Sequence, residues 1–102
     1  EKNTTDLLIG MTEEIEQAFD NEEYDRALEL TGEFTQEFTR RTQHFTFFMR
    51  HSDITKIEEN VIMLPILLEA GDHEHFPAEL ARCRNQLDKL GDLELPTFDN
   101  IL

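Results

Sequence analysis

Apolar side chains recur every three or four residues in four separate stretches of this 102-residue chain, and this period constrains the fold more than any other feature. Such spacing places the apolar residues on one face of an α-helix. The pattern predicts helices over about 4–20, 22–50, 53–70 and 73–91, followed by a tail over 92–102. Four amphipathic helices in a chain this short predict one domain, 1–102, folded as an all-α, antiparallel up-down four-helix bundle.

Each predicted helix carries an apolar stripe that would face a shared core. Pro65 lies inside the third predicted helix and predicts a kink or an early break there, because proline removes a backbone hydrogen bond. Gly71 suits a C-terminal cap. The four stripes are Leu8, Met11, Ile15 and Ala18; then Tyr24, Ala27, Thr31, Phe34, Phe38, Arg41, Phe45 and Phe48; then Ile54, Ile57, Val61, Leu64 and Leu68; and finally Phe76, Leu80, Cys83, Leu87 and Leu90.

The two halves of the chain resemble each other at an offset of 52 residues. Asp20 and Tyr24 in the first half correspond to Asp72 and Phe76 in the second. This repeat predicts two similar helical hairpins, each turning at an aspartate that is followed by an aromatic residue. Two hairpins are fewer than the three or so repeats that a solenoid needs, so a closed bundle is favoured.

Apolar residues near the end of the second predicted helix exceed what one core can accept. Neighbouring positions on a helix differ by about 100°, so a run of consecutive apolar residues cannot share one face. We expect the C-terminal tail to pack back over this run; the alternative is an exposed surface for a partner. The run comprises Phe45, Phe47, Phe48 and Met49, and the apolar residues of the tail include Leu95, Phe98, Ile101 and Leu102.

Charge is high and unevenly placed. The chain has 23 Asp and Glu against 9 Lys and Arg, a net charge of −14. Such a chain repels phosphates, which argues against binding to nucleic acid. An up-down bundle would gather most cations toward the pole where the chain enters, here called the basic pole. Two interpretations of this pole are open: it faces the anionic headgroups of a membrane, or, as is favoured, the charges merely fall where the turns put them. These cations are Lys2, Arg40, Arg41, Arg50, Lys56, Arg82, Arg84 and Lys89; the opposite, acidic pole would hold Asp20, Glu22, Glu23, Asp72 and Glu74.

Few residue patterns indicate chemistry. Asp72, His73 and His75 are weak candidates for a metal site, because two histidines two positions apart point to different faces of a helix. A solvated turn is the favoured interpretation. The one cysteine, Cys83, lies on an apolar stripe and is expected to be a buried hydrophobic residue. With no nucleophile beside a plausible base, we expect no enzyme activity and no cofactor.

The chain resembles a family of small uncharacterised bacterial proteins, most of them from clostridia and related spore-formers. The matching features are the acidic break before Tyr24-Asp25-Arg26-Ala27, the turn His51-Ser52-Asp53-Ile54, and the ending Phe98-Asp99-Asn100-Ile101-Leu102. The resemblance implies a hydrophobic N-terminal segment ahead of Glu1 that acts as a membrane anchor or signal. It also implies an extracytoplasmic helical domain that works beside an integral membrane protein.

These observations lead to two competing expectations about function. The first is a non-enzymatic, membrane-tethered, extracytoplasmic interaction module, whose partner is an unknown protein. Its expected localisation is the outer face of a bacterial membrane; the alternative is a secreted protein. The alternative is an acidic domain that binds or senses cations at the acidic pole. The residues proposed to bind a partner are Phe45, Phe47, Phe48, Met49, Arg40, Arg41, Arg50 and His51.

Overall fold

The computed structural model describes residues 3–43 and 51–91, with only the backbone of residues 51–53. The described residues form helices and turns and no strand, which confirms the all-α prediction. The helices are α1 (Thr4–Asp20), α2 (Tyr24–Thr42), α3 (His51–Glu69) and α4 (Phe76–Gly91).

The four helices pack in a closed ring, in which each helix contacts the next one along the chain and α4 also contacts α1. At one end of the bundle Gly91 of α4 lies against the side chain of Thr5 near the start of α1. At the other end Phe19, near the end of α1, touches Tyr24 at the start of α2 and Phe76 at the start of α4. Neighbouring helices therefore run in opposite directions, as the up-down prediction requires.

The core consists of one cluster of apolar side chains contributed by all four helices. The stripes predicted for α3 and α4 are buried in full. In α1 the fully buried residue of the middle turn is Thr12, and Met11 is only half-buried. The threonine is tolerated there because its hydroxyl donates a hydrogen bond to the carbonyl oxygen of Ile9, at 2.6 Å.

Both hairpins turn through the same backbone motif at the end of their first helix. The N–H of Glu23 donates to the carbonyl of Ala18 at 2.9 Å, and the N–H of Asp72 donates to the carbonyl of Leu67 at 2.9 Å. The residue before each donor has a left-handed backbone, with φ of 61° at Glu22 and 71° at Gly71. These are helix C-terminal caps of the Schellman type, so the capping role expected of Gly71 is confirmed.

The equivalent caps revise the internal repeat. Glu22 corresponds to Gly71, an offset of 49 residues, and buried Leu8 corresponds at the same offset to buried Ile57. The second helices of the hairpins begin at Tyr24 and Phe76, where the predicted offset of 52 does apply. The second turn is therefore three residues longer than the first, because 73–75 precede α4 as a turn.

Several helix boundaries differ from those expected. The helix α2 ends at Thr42, followed by a turn at Gln43, instead of continuing to 50; residues 44–50 lie outside the described residues. The helix α3 begins earlier, at His51, and an early break at Pro65 is wrong because the helix continues to Glu69. The predicted packing of the tail, 92–102, also lies outside the described residues.

The late start of α4 has a local cause. The carboxylate of Asp72 accepts the backbone N–H of His75 at 3.0 Å, which holds residues 73–75 in a turn ahead of the helix. Pro77 then occupies the first turn of α4, where a missing N–H costs no helical hydrogen bond.

Candidate functional site

Four rings cluster at the acidic pole, where α1, α2 and the second turn meet. The ring of His73 stacks on the ring of Tyr24, with centroids 4.1 Å apart and planes at 23°. Phe19 meets both rings edge-on, at 5.4 Å from Tyr24 and 5.6 Å from His73, and lies 4.9 Å from Phe76. Phe76 is fully buried, so the cluster joins the core to the surface of the pole. It fixes the two hairpin turns against each other.

Asp72 and His75 form a second contact at the same pole. The carboxylate of Asp72 accepts the backbone N–H of His75, and it also lies 2.9 Å from the Nδ1 atom of the His75 ring. The hydrogen bond from the His75 backbone, followed by the bond to its ring, lowers the pKa of Asp72 below 3.8. The carboxylate is therefore held in its charged form by the turn that it caps.

The three weak metal candidates do not converge on a common point. Asp72 is engaged by His75, whereas the ring of His73 turns away to stack on Tyr24. Among the described residues, no group of three or more His, Cys, Asp or Glu side chains is arranged to hold a metal ion. This geometry favours a capped turn over a shared ion.

Two arginines at the basic pole form ion pairs and hydrogen bonds with residues of α1 and α2. Arg40 and Arg41 both pair with Glu37, Arg41 through its Nε atom at 2.6 Å. Hydrogen bonds from the two arginines lower the pKa of Glu37. Arg41 also donates to the hydroxyl of Thr4 at 3.2 Å, which links the end of α2 to the start of α1. Arg41 therefore acts as a structural link, and Arg40 remains the more exposed of the two.

The other residues proposed for partner binding fall largely outside the description. Phe45, Phe47, Phe48, Met49 and Arg50 lie outside the described residues, and His51 is described only as the first residue of α3.

The predicted bundle placed Arg84 toward the basic pole, but its contacts lie at the middle of the bundle and toward the acidic pole. Its Nε atom donates to the hydroxyl of buried Thr12 at 3.0 Å, and its Nη2 atom pairs with Glu16 at 2.8 Å. Glu16 is one turn from the acidic end of α1. The shift follows from the start of α4 at Phe76, which places Arg84 at the middle of the helix.

Cys83 is fully buried, which confirms its assignment to the core stripe. Burial, with a smaller contribution from the charge of Glu79, raises the pKa of the thiol to about 12. A nucleophilic cysteine needs a low pKa and access to solvent, and Cys83 has neither.

The surface feature that the stripes did not reveal is an exposed apolar ridge on α3. We call Ile62, Met63 and Ile66 the α3 ridge; their exposed fractions are 55%, 36% and 51%. In the part of the chain that the structure describes, these are the large hydrophobic residues that stand exposed. The signal in the sequence is the uninterrupted apolar run 61–68, which supplies both the buried stripe and a second, outward face.

Charged residues border the ridge on its own helix. Glu58 and Glu59 lie one turn before Ile62, and Glu69 lies one turn after Ile66. All three glutamates are exposed, and none forms an ion pair with another described residue. The ridge is therefore an apolar strip between acidic ends.

None of the described helices combines the length and the apolar character that a bilayer span demands.

Comparisons with known proteins place the chain within one family. No curated protein and no solved structure matches the chain. A family described as a domain of unknown function, DUF4363, matches residues 2–101, which is nearly the whole chain. This match agrees with the resemblance to an uncharacterised family. The chain belongs to the DUF4363 family.

Proposed function

We propose that this domain is a non-enzymatic interaction module that binds a protein partner through the α3 ridge. The observation that carries the proposal is the exposure of Ile62 and Ile66, each more than half accessible. The net charge of the chain is −14, and most of the exposed positions among the described residues are polar. Contiguous exposed apolar residues that are rimmed by polar ones are typical of protein-binding surfaces.

The energetics of the ridge fit an interface of modest size. Full burial of a Leu, Ile or Met side chain stabilises a complex by roughly 1.5–3 kcal/mol, and about half of that remains available at Ile62 and Ile66. The ridge can therefore supply the apolar centre of an interface, to which other residues add a polar rim.

We further propose that the module is tethered to a bacterial membrane and faces the extracytoplasmic side. The support is the sequence resemblance, which implies a hydrophobic segment ahead of Glu1. The start of α1, where such a segment would join, lies at the end of the bundle that holds Arg40 and Arg41. Anionic headgroups attract cations at that end by about 1 kcal/mol per well-placed charge. Fractionation of the natural full-length protein tests the tether: recovery in the soluble fraction would contradict it.

Crosslinking in the native cell tests the interaction itself. A photoreactive amino acid replaces Ile62 in the natural protein, and a matched variant carries it at Glu13, an exposed position on α1. We expect a discrete crosslinked species from position 62 and none from position 13. Because α1 contacts α2 and α4, its outward face points away from α3, so position 13 reports non-specific collisions. Equal crosslinking at both positions, or none at position 62, would contradict the proposal.

A further inference from the structure

The chemistry of the α3 ridge also indicates what kind of partner it accepts. We propose that the ridge binds one amphipathic helix of a partner protein whose apolar stripe is flanked by lysine or arginine. This inference rests on the proposed function and deepens it by naming the chemical class of the partner segment.

The shape of the ridge suits a helix. Ile62 and Ile66 are one helical turn apart on α3, and Met63 lies beside this pair on the same exposed side of the helix. An i, i+4 row of this kind packs into the groove between the rows of a facing helix. Other faces of α3 are already occupied, since α3 packs against α2 and α4. The outward face is thus the one left for a further helix.

The charge around the ridge selects the partner. Glu58 and Glu59 border one end and Glu69 borders the other, all three exposed and without an ion pair to another described residue. Lys56 is the one cation among the described residues of α3. A helix with cations beside its apolar stripe gains attraction at both ends, whereas an acidic helix meets like charge.

The same charges disfavour a second copy of this chain. An antiparallel pairing of two α3 helices that sets Ile62 opposite Ile66 would also set Glu59 opposite Glu69, twice over. Like charges at that distance are unfavourable, and each copy brings a net charge of −14. An anionic lipid surface is disfavoured for the same reason.

The C-terminal tail is a poor occupant as well. Residues 92–102 contain Asp92, Glu94 and Asp99 and no lysine or arginine. Their apolar residues could contact the ridge, but their charges would face Glu58, Glu59 and Glu69. A cationic helix is the occupant that satisfies both the apolar and the charged parts of this surface.

Binding of two designed peptides to the full chain tests the inference. Both peptides are helical, about three heptads long, with the same leucine stripe; one carries lysine beside the stripe and the other carries glutamate. Fluorescence anisotropy at about 0.15 M salt measures each dissociation constant. We expect saturable binding of the lysine peptide and a dissociation constant at least about ten-fold weaker for the glutamate peptide, a difference of about 1.4 kcal/mol.

Matched variants locate the binding surface. Ile62→Ser with Ile66→Ser, and separately Glu59→Lys with Glu69→Lys, should each weaken the lysine peptide by about ten-fold or more. The control is Glu13→Lys with Glu14→Lys on α1, which changes the net charge equally and should shift binding by less than about three-fold. All of these positions are exposed, so the helical content, followed by circular dichroism, should stay unchanged.

Other outcomes would overturn the inference. Equal weakening by the α1 control would show attraction to net charge alone, and absence of binding up to about 1 mM would exclude the helix. A dimer that Ile62→Ser with Ile66→Ser dissociates would assign the ridge to a second copy. Peptide binding that appears only after deletion of 92–102 would assign it to the tail.

The native-cell crosslink separates this inference from the proposed function. If crosslinking at position 62 persists in the Glu59→Lys, Glu69→Lys protein, the ridge binds a partner and only the cationic chemistry is wrong. If position 62 gives no crosslink in the unaltered background, the interaction module itself is wrong.

Discussion

Single polar side chains tie neighbouring helices of this bundle together. Arg84 of α4 donates to the buried hydroxyl of Thr12 on α1, and the amide of Asn60 on α3 donates to Gln86 of α4 at 2.8 Å. Among the described residues, no buried side-chain nitrogen or oxygen lacks a hydrogen-bond partner. An unpaired buried polar group costs about 1–3 kcal/mol, so these ties give the ring of helices a defined register.

The Asp72 cap predicts a pH dependence at the residue scale. Its pKa is lowered in the folded chain, so its contribution to stability is complete above about 3.8, the unfolded value, and is lost as the pH falls through the lower folded value. Asp72→Ala should therefore reduce the free energy of unfolding at pH 7, and the difference from the unaltered protein should shrink below pH 3.8. Urea unfolding at several pH values measures this.

A matched substitution checks the cause. Asp88→Ala removes an exposed aspartate from the last turn of α4, for which no cap is described, so it should not lower the free energy of unfolding at pH 7 as Asp72→Ala does. A constant difference between Asp72→Ala and the unaltered protein down to pH 2 would show that the charge of Asp72 is not what stabilises the turn.

At the scale of the elements, the two hairpins reach the same cap with different residues. Gly71 adopts a positive φ without a side chain to oppose it, whereas Glu22 adopts a similar φ with a Cβ atom. A non-glycine residue in this region costs roughly 1 kcal/mol. The first turn is therefore the more strained of the two caps.

The two caps predict that substitutions at Glu22 and Gly71 change the free energy of unfolding in opposite directions. Glu22→Gly should raise the free energy of unfolding by up to about 1 kcal/mol, and Gly71→Ala should lower it by about 1 kcal/mol. A steric clash with neighbouring atoms does not contribute to the effect of Gly71→Ala, since a Cβ at Gly71 would meet nothing within 4 Å. Thermal or urea unfolding measures both variants.

Gly32 provides the control for these substitutions. It lies inside α2, where a Cβ also meets nothing within 4 Å, so Gly32→Ala should stabilise by roughly 0.5–1 kcal/mol. If Gly71→Ala stabilised the chain as Gly32→Ala does, the left-handed backbone would not be the source of the difference.

Much of the fold follows from the apolar period. Ile57, Val61 and Leu64 on α3, and Leu80 and Leu87 on α4, are buried as their spacing predicts. Periodicity reports which face of a helix is buried, but it does not report where a helix stops. The heptad pattern therefore predicted that α2 continues past Thr42, where the helix ends. The hydrogen bond between Asp72 and His75 makes α4 begin later than its pattern predicted.

Less of the candidate site than of the fold could be predicted from the sequence. The aromatic cluster depends on residues from both turns, and His73, which stacks on Tyr24, lies among the three residues by which the second turn is longer. The apolar run 61–68 contains more apolar residues than one stripe needs, but such a run is equally typical of a helix that is buried on all sides. Only the packing of α3 against two neighbours decides that Ile62 and Ile66 face outward.

At the scale of the whole molecule, charge repulsion opposes folding. A net charge of −14 on 102 residues raises the energy of the compact state relative to the unfolded one. The exposed ion pairs of the described helices, such as Arg26 with Glu29, offset little of this, since such pairs contribute about 0–1 kcal/mol.

Salt should therefore stabilise the bundle. Raising NaCl from about 0.01 M to about 0.15 M shortens the Debye length from about 30 Å to about 8 Å, which screens the repulsion. We expect the melting temperature to rise over this range and to rise less in Glu13→Gln with Glu14→Gln. A melting temperature that falls with salt would mean that favourable ion pairs outweigh the net charge.

The contact between Gly91 and Thr5 places the first turn of α1 beside the last residue of α4. A short linker could join these two points, and the backbone could be opened at either hairpin turn instead, so the order of the helices along the gene is not fixed by the packing. The same closeness means that the bundle could be inserted into a surface loop of a host protein while spreading that loop little. In either arrangement the α3 ridge would remain on the side of the bundle, open to a neighbour.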